Sequence, residues 1–544
     1  MKPLDAAANP IESPVGFAAG ATAGLSSSAI ASRVDKPPVV PDFSTENKER
    51  KSLRRSVYAI LIVIAAGGML GRILAVDSVD LLELQENRFH KARDAKEKSL
   101  RAAGLSGAAL GDALDAEESR LQGALQLERP FLGANDRSRW DTVRALVEPE
   151  MRVPGAPYAI DKVIDQPRWD TIDMVKHDGH LYSSKPPLYA TLIAGPYWLI
   201  YHLTGTTLRA EPYAVGRFLL VAVNLLPMLI YFVLLAALAE RLGTTDWGRI
   251  FVVAAGALGT FLTTFAIVLN NHLAGAVCAL AMLYAAVRIW FDGQWRLRYF
   301  FIAGLFAALL AAEELPALSL AGLVAAALLW KAPRPTLLAF APAGLLVAAA
   351  FFATNWIAVH SLKPAYLHRS RGDDWYDYTY EHHGRQIESY WNHPVGIDQG
   401  EPSPTVYAIH ALVGHHGVFS LTPMWLLSVA GTLRWLGWPA DRRLRHLAIL
   451  VGLATLACLV FYLTRPLAHR NYGGMSSGLR WMFWFAPLWL LVMLPAADWA
   501  APRRWARVVA LALLGLSVLS VSYPTWNPWT HPWLYNFANY MDWL

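Results

Sequence analysis

Two cysteines in 544 residues are too few for a disulfide framework or a thiolate metal site. Cys278 and Cys458 both fall inside apolar runs, where they read as small core residues. Charge is scarce as well: 17% of the chain is Asp, Glu, Lys or Arg against 55% hydrophobic residues, more apolar surface than soluble cores of this length need. The excess must face lipid. No cleavable leader precedes the first apolar run, which begins near Val57 behind a long polar stretch and reads as a signal anchor. A Gly-rich phosphate loop and a soluble nucleotide-sugar domain are missing. The net charge of +6 is spread over short loops between apolar runs and forms no single stripe. That pattern argues against nucleic acid as a partner and for a topology signal.

What is present is a series of runs near the roughly 20 apolar residues that a bilayer span requires. Residues 1–55 form an expected disordered cytoplasmic tail, rich in Ala, Ser, Pro and Gly without periodicity. Its end carries Lys48, Arg50, Lys51, Arg54 and Arg55, which hold the N-terminus inside. The first helix is expected at 56–76, followed by an outer loop over 77–186. Within that loop, 80–128 has helical charge spacing and predicts solvated helices, while 129–186 is dense in Trp, Asp, Arg and Pro and predicts a folded functional loop. Further runs fall at 187–204, 213–239, 250–269, 273–290, 299–313, 315–330 and 335–353. After a second outer loop, 354–416, come 418–437, 447–464, 481–497 and 507–523, and then an outer tail, 524–544.

Treating 187–204 as re-entrant or interfacial, given Gly195 and Pro196, puts Arg241, Arg288, Arg296, Arg298, Lys331, Arg334, Arg442, Arg443, Arg445, Arg503 and Arg504 on the cytoplasmic side. The expectation is an all-α polytopic membrane protein of about eleven spans, in the inner (plasma) membrane with its active face periplasmic. Arg465, Arg470 and Arg480 are left on the outer side, where they suit an anion. The 22 Trp and 21 Tyr fit either membrane interfaces or sugar-stacking surfaces.

Two motifs bracket the functional part of the first outer loop: Asp136-Arg137-Ser138-Arg139-Trp140, and Tyr182-Ser183-Ser184-Lys185-Pro186-Pro187-Leu188. Together they resemble the polyprenyl-phosphate-dependent GT-C glycosyltransferases, the group of protein O-mannosyltransferases and lipid A aminoarabinose transferases. In that family an Asp-Glu pair, often continuing x-Arg-Tyr, follows the first helix, and Lys-Pro-Pro-Leu precedes the next run. Here Asp136 takes the Asp position, Arg139-Trp140 takes Arg-Tyr and Lys185 takes the Lys, while Arg137 replaces the second acid.

The resemblance implies transfer of a sugar from a polyprenyl-phosphate donor to an acceptor hydroxyl on a glycan, lipid or protein, with inversion. It gives Asp136 the role of general base and Lys185, Arg139 and Arg480 the developing phosphate charge. The residue types alone also allow a loop cap at Asp136 and a snorkelling Lys at 185. Asn271 and His272 suit a sugar or phosphate oxygen, and equally a helix cap. Glu313 and Glu314 are costly in lipid, so one of them is expected to face a cavity, and Tyr472 in Tyr-Gly-Gly is a substrate-binding candidate.

The loop with His360, His368, His382, His383, His393, His410, His415 and His416, near Asp373, Asp374, Asp398 and Glu401, lacks tight metal spacing. No cofactor is firmly expected, and a divalent metal held by this loop is the minority reading. Trp375, Tyr376, Tyr378, Tyr380, Tyr390 and Trp391 suit stacking on an acceptor. The alternatives to an enzyme are a non-catalytic binder of lipid-linked sugars and a transporter or flippase. The absence of a second copy of the 135–188 pattern weighs against the transporter.

Overall fold

The structure is a computed structural model and describes residues 43–76, 79–124, 131–166, 168–369, 375–382, 384–439 and 441–543. Residues 1–42, His383, Asp373 and Asp374 lie outside them. Every apolar run of the sequence except the second half of 250–269 forms helix, and seven helices among the described residues are long and apolar enough to cross a membrane. Large apolar side chains such as Leu338 (70% exposed) and Leu345 (67%) cover the outside of this bundle. A surface of that kind is the mark of a polytopic membrane protein.

Four of the expected spans are shorter. Asp246–Leu258 and Trp425–Gly437 have 13 residues each, about 20 Å of helix at 1.5 Å per residue. Leu318–Lys331 has 14 and Leu297–Glu313 has 17. The first helix starts at Phe43 and runs to Leu74, so the basic cluster lies on the helix instead of in a tail before it. Residues 187–204, expected to be re-entrant or interfacial, form an unbroken helix, Pro187–Thr204, with Pro196 inside it. The first outer loop contributes a pair of helices, Val79–Ala102 and Gly107–Ala124, joined by the Arg93–Glu118 ion pair. The all-α expectation needs one amendment. Two small antiparallel hairpins sit in the loops, Met174–His177 with His180–Ser183 and Thr379–His382 with Arg385–Glu388.

Two helices form the interior. Burial reaches 67% over Asn271–Trp290 and 78% over Arg480–Ala500, against 22% for the first helix, and helices apolar on all sides belong in a core. Close approach around them depends on glycine. A methyl at residue 431 would lie 1.9 Å from the Val492 carbonyl oxygen, and one at residue 304 would lie 2.2 Å from that of Phe340. At one end of the bundle, charges tie the helices together: Arg54 to Glu240 (2.8 Å) and Asp246 (2.7 Å), and Arg241 and Arg288 both to Asp292 (2.5 Å each). The opposite end carries the loops.

The largest departure from the expected pattern is at 250–269. The helix stops at Leu258, and the chain continues as a fully buried irregular segment to Asn270. Such backbone is tolerated only if its polar groups find partners, and here side chains supply them. Asn224 donates to the carbonyls of Ala266 (2.8 Å) and Val268 (3.0 Å), and Asn270 donates to those of Phe265 (2.9 Å) and Val268 (3.0 Å). The Leu269 N–H donates to the Asp136 carboxylate at 2.7 Å.

Gly431→Ala is expected to lower stability by about 1–3 kcal/mol, because the atom met is backbone and the helices must part. Gly452→Ala, with open space around it, is expected to be neutral or better. Thermal unfolding of the purified protein in detergent compares the two.

Candidate active site

The loop end of the bundle encloses a cavity of about 860 Å³, within the range of small-molecule sites. Elements far apart in sequence build it. The helix Ala134–Val147 supplies Arg139, the two ends of the first hairpin supply Asp173 on one side and Ser184 and Lys185 on the other, and the start of Asn271–Trp290 supplies Asn271 and His272. Glu313 and Glu314 come from the end of Leu297–Glu313, and Arg480 from the entrance of the last buried helix. Of the residues expected from sequence, Lys185, Arg139, Arg480, Asn271, His272, Glu313 and Glu314 therefore come together.

Each cation is held. Arg139 donates to the Asn135 carbonyl (3.0 Å) and to Asn271 Oδ1 (2.6 Å). Lys185 Nζ lies 2.7 Å and 2.9 Å from the two Asp173 oxygens. Arg480 donates through Nε to the Gly473 carbonyl (2.5 Å), and its guanidinium sits 4.8 Å above the Trp529 ring. Gly473 and Gly474, at φ 95° and 78°, give the left-handed backbone that turns this carbonyl inward. Asn271 also donates to Glu314 (2.8 Å), and the His272 ring bonds the same carboxylate.

Burial pushes the Lys185 amine down to about 8, and the neighbouring Arg139 and Arg480 add to the shift while Asp173 opposes it. For Asp173, burial raises the carboxyl, but Lys185, Ser184 and Arg139 outweigh it and leave the pKa below the usual range. The amine is charged at neutral pH and approaches neutrality above pH 8, whereas its partner stays ionised.

Two expected site residues stand elsewhere. Asp136 does not line the cavity. It is 1% exposed and closes the irregular segment through Leu269, and burial raises its pKa to about 7. Tyr472 is turned into an aromatic cluster, stacked on His416 (4.9 Å) and packed against Tyr407 and His415. Its neighbours Asn471, Gly473 and Gly474 face the cavity in its place. Asn527, Trp529 and Thr530, from the tail after the last long helix, also line the cavity.

The residue that sequence reasoning missed is Asp173. The turn Asp178-Gly179, with φ of 48° and 83°, is a two-residue hairpin signal. Pairing Met174 with Ser183 brings Asp173 beside Ser184 and Lys185. No group of three or more His, Cys, Asp or Glu among the described residues is arranged for a metal ion.

Comparison with protein-family models finds no match, and neither does comparison with curated proteins. A solved structure, the archaeal oligosaccharyltransferase AglB from Archaeoglobus fulgidus in complex with an inhibitory peptide and a dolichol-phosphate, is similar over 75% of this chain. The identity is 11% and the TM-score 0.38, and 53% of that chain is covered, so this protein spans about half its length.

Two outcomes test the geometry. Binding of inorganic pyrophosphate as an anionic probe is expected to weaken as pH rises through about 8, where Lys185 loses its charge, and Lys185→Ala to remove that step; titration calorimetry across pH 6.5–9.5 measures both. Asp136→Asn retains an acceptor for Leu269 and is expected to fold normally, whereas Asp136→Ala orphans a buried N–H at a cost of about 1–3 kcal/mol, read from thermal unfolding.

Proposed function

We propose that the chain transfers a sugar from a polyprenyl-phosphate carrier to an acceptor hydroxyl, inverting C1, on the non-cytoplasmic face of the plasma membrane. The observation that carries this reading is the convergence of Arg139, Lys185 and Arg480, from three separate elements, on one cavity beside helices long enough to cross a bilayer. Charge grows on the leaving phosphate in the transition state, and cations already fixed by Asn135, Asn271, Asp173 and the Gly473 carbonyl stabilise it without reorganising.

The cavity is amphipathic in a way that suits such a donor. Leu315, Phe461, Tyr462 and Trp481 line it together with the cations, so a hydrocarbon chain and a charged head can be accommodated side by side. Tyr376, Tyr390 and Trp391 also line it and offer faces or edges for a sugar ring. With the cavity end outward, the Arg-rich end that carries Arg241, Arg288 and Arg443 lies in the cytoplasm, as positive loops require. The sequence motifs at Asp136–Trp140 and Lys185–Leu188 point the same way.

The test is release of polyprenyl phosphate from radiolabelled polyprenyl-phosphate sugars by the purified protein, with a membrane extract as the source of acceptor. Wild type is expected to turn over, and Lys185→Ala and Arg480→Ala to lose about 10²–10³-fold in kcat/KM. Donor bound but never consumed would make the protein a binder of lipid-linked sugars. No binding of any such donor would overturn the reading altogether.

A further inference from the structure

A displacement at a sugar carbon needs a group to take the acceptor's proton, and Asp136, which the motif nominates, is committed to the backbone of Leu269. The cavity wall holds five carboxylates: Asp170, Asp173, Glu313, Glu314 and Asp398. Asp173 is taken up by Lys185, Glu314 by Asn271 and His272, and Asp398 by Asn471 (2.7 Å) and Tyr390 (3.1 Å). Asp170 is engaged too. Glu313 differs, since its carboxylate has no hydrogen-bond or ion-pair partner among the described residues, and only its backbone carbonyl is used, by Asn271 at 3.0 Å.

The chain path explains the contrast between two adjacent glutamates. Glu313 closes the helix Leu297–Glu313, whereas Glu314 has already left it in extended conformation (φ −132°, ψ 90°) ahead of the turn Leu315–Ala317. The side chain of Glu314 is thereby directed to His272, at the first turn of the neighbouring helix. Glu313 stays on the cavity wall. The cation that acts on it, Arg139, is already gripped by Asn135 and Asn271, so it biases Glu313 electrostatically without an ion pair.

We propose that Glu313 is the general base of the transfer, an assignment that rests on the function proposed above. The acceptor O–H gives its proton to the Glu313 carboxylate as the acceptor oxygen bonds to C1. The C1–O bond to the phosphate breaks, and its electron pair leaves on the polyprenyl phosphate beside Lys185, Arg139 and Arg480. The ionisable groups facing Glu313 are Arg139, Glu314, Tyr189, Cys278 and Tyr366. Burial weighs most and raises the Glu313 carboxyl to about 8, Arg139 opposes it and favours the ionised, proton-accepting form, and Glu314 adds to the rise.

The experiment uses the full-length protein in nanodiscs with the polyprenyl-phosphate sugar that wild type consumes. Glu313→Gln is expected to lower kcat by about 10²–10⁴-fold, to leave donor affinity within about twofold and the unfolding temperature unchanged, and to abolish the acid limb of the kcat–pH profile. Glu313→Asp is expected to restore part of the rate together with that limb. Glu314→Gln, which loosens the link through Asn271 to Arg139, is expected to raise the donor KM instead. An active wild type whose Glu313→Gln variant keeps its kcat and its acid limb would overturn the assignment and leave the transferase standing. A wild type that consumes no polyprenyl-phosphate donor would overturn the transferase, and the base with it.

Discussion

Backbone that leaves the helical path inside an apolar bundle must find partners for its N–H and C=O groups, and the site of this protein depends on how residues 259–270 meet that demand. Asn224, Asn270 and Asp136 satisfy the segment from three directions. The Asn270 side chain also caps the next helix by accepting from the Leu273 N–H, a standard use of Asn at a helix start. The cap fixes where Asn271 and His272 begin. Asn271 in turn holds Arg139 and Glu314, so the polar wall of the cavity is registered against the irregular segment.

The same helix, Ala134–Val147, serves both sides of this arrangement. Asp136 faces the broken segment, and Arg139, one turn on, faces the cavity. Residues three apart lie near one another on a helix surface, so the carboxylate of Asp136 lends its charge to Arg139 without bonding to it. Asp136 is buried, accepts from the Leu269 N–H and does not line the cavity.

Within a cavity that also carries five carboxylates, the cations Arg139, Lys185 and Arg480 are restrained by neutral or singly charged partners. Amide and carbonyl oxygens hold Arg139 and Arg480, and among the described residues neither forms a direct ion pair with the carboxylates around it. Lys185 is opposed by Asp173 alone. A partly enclosed site keeps these charges weakly screened, and an anion entering it meets donors already in place. Trp529, from the last stretch of the chain, completes the wall against Arg480 and packs where Gly133 leaves no side chain.

The sequence by itself determined the class of the protein, because long apolar runs have no other place to be buried than lipid. It also picked out the helical insert, whose charge spacing is local, and three of the cations that line the cavity, Arg139, Lys185 and Arg480, because Arg and Lys are conspicuous beside apolar runs. Only the tertiary structure decided which carboxylate goes where. Asp136 and Tyr472 carry the right chemistry in the right motifs, but their neighbours are residues more than fifty positions away, Leu269 and His416. Glu313 and Glu314 are indistinguishable as letters and are separated by a single change of backbone direction at the end of a helix. Periodicity and composition report what a residue can do near its own chain, whereas the partner that uses up a buried charge comes from another element, and packing selects it.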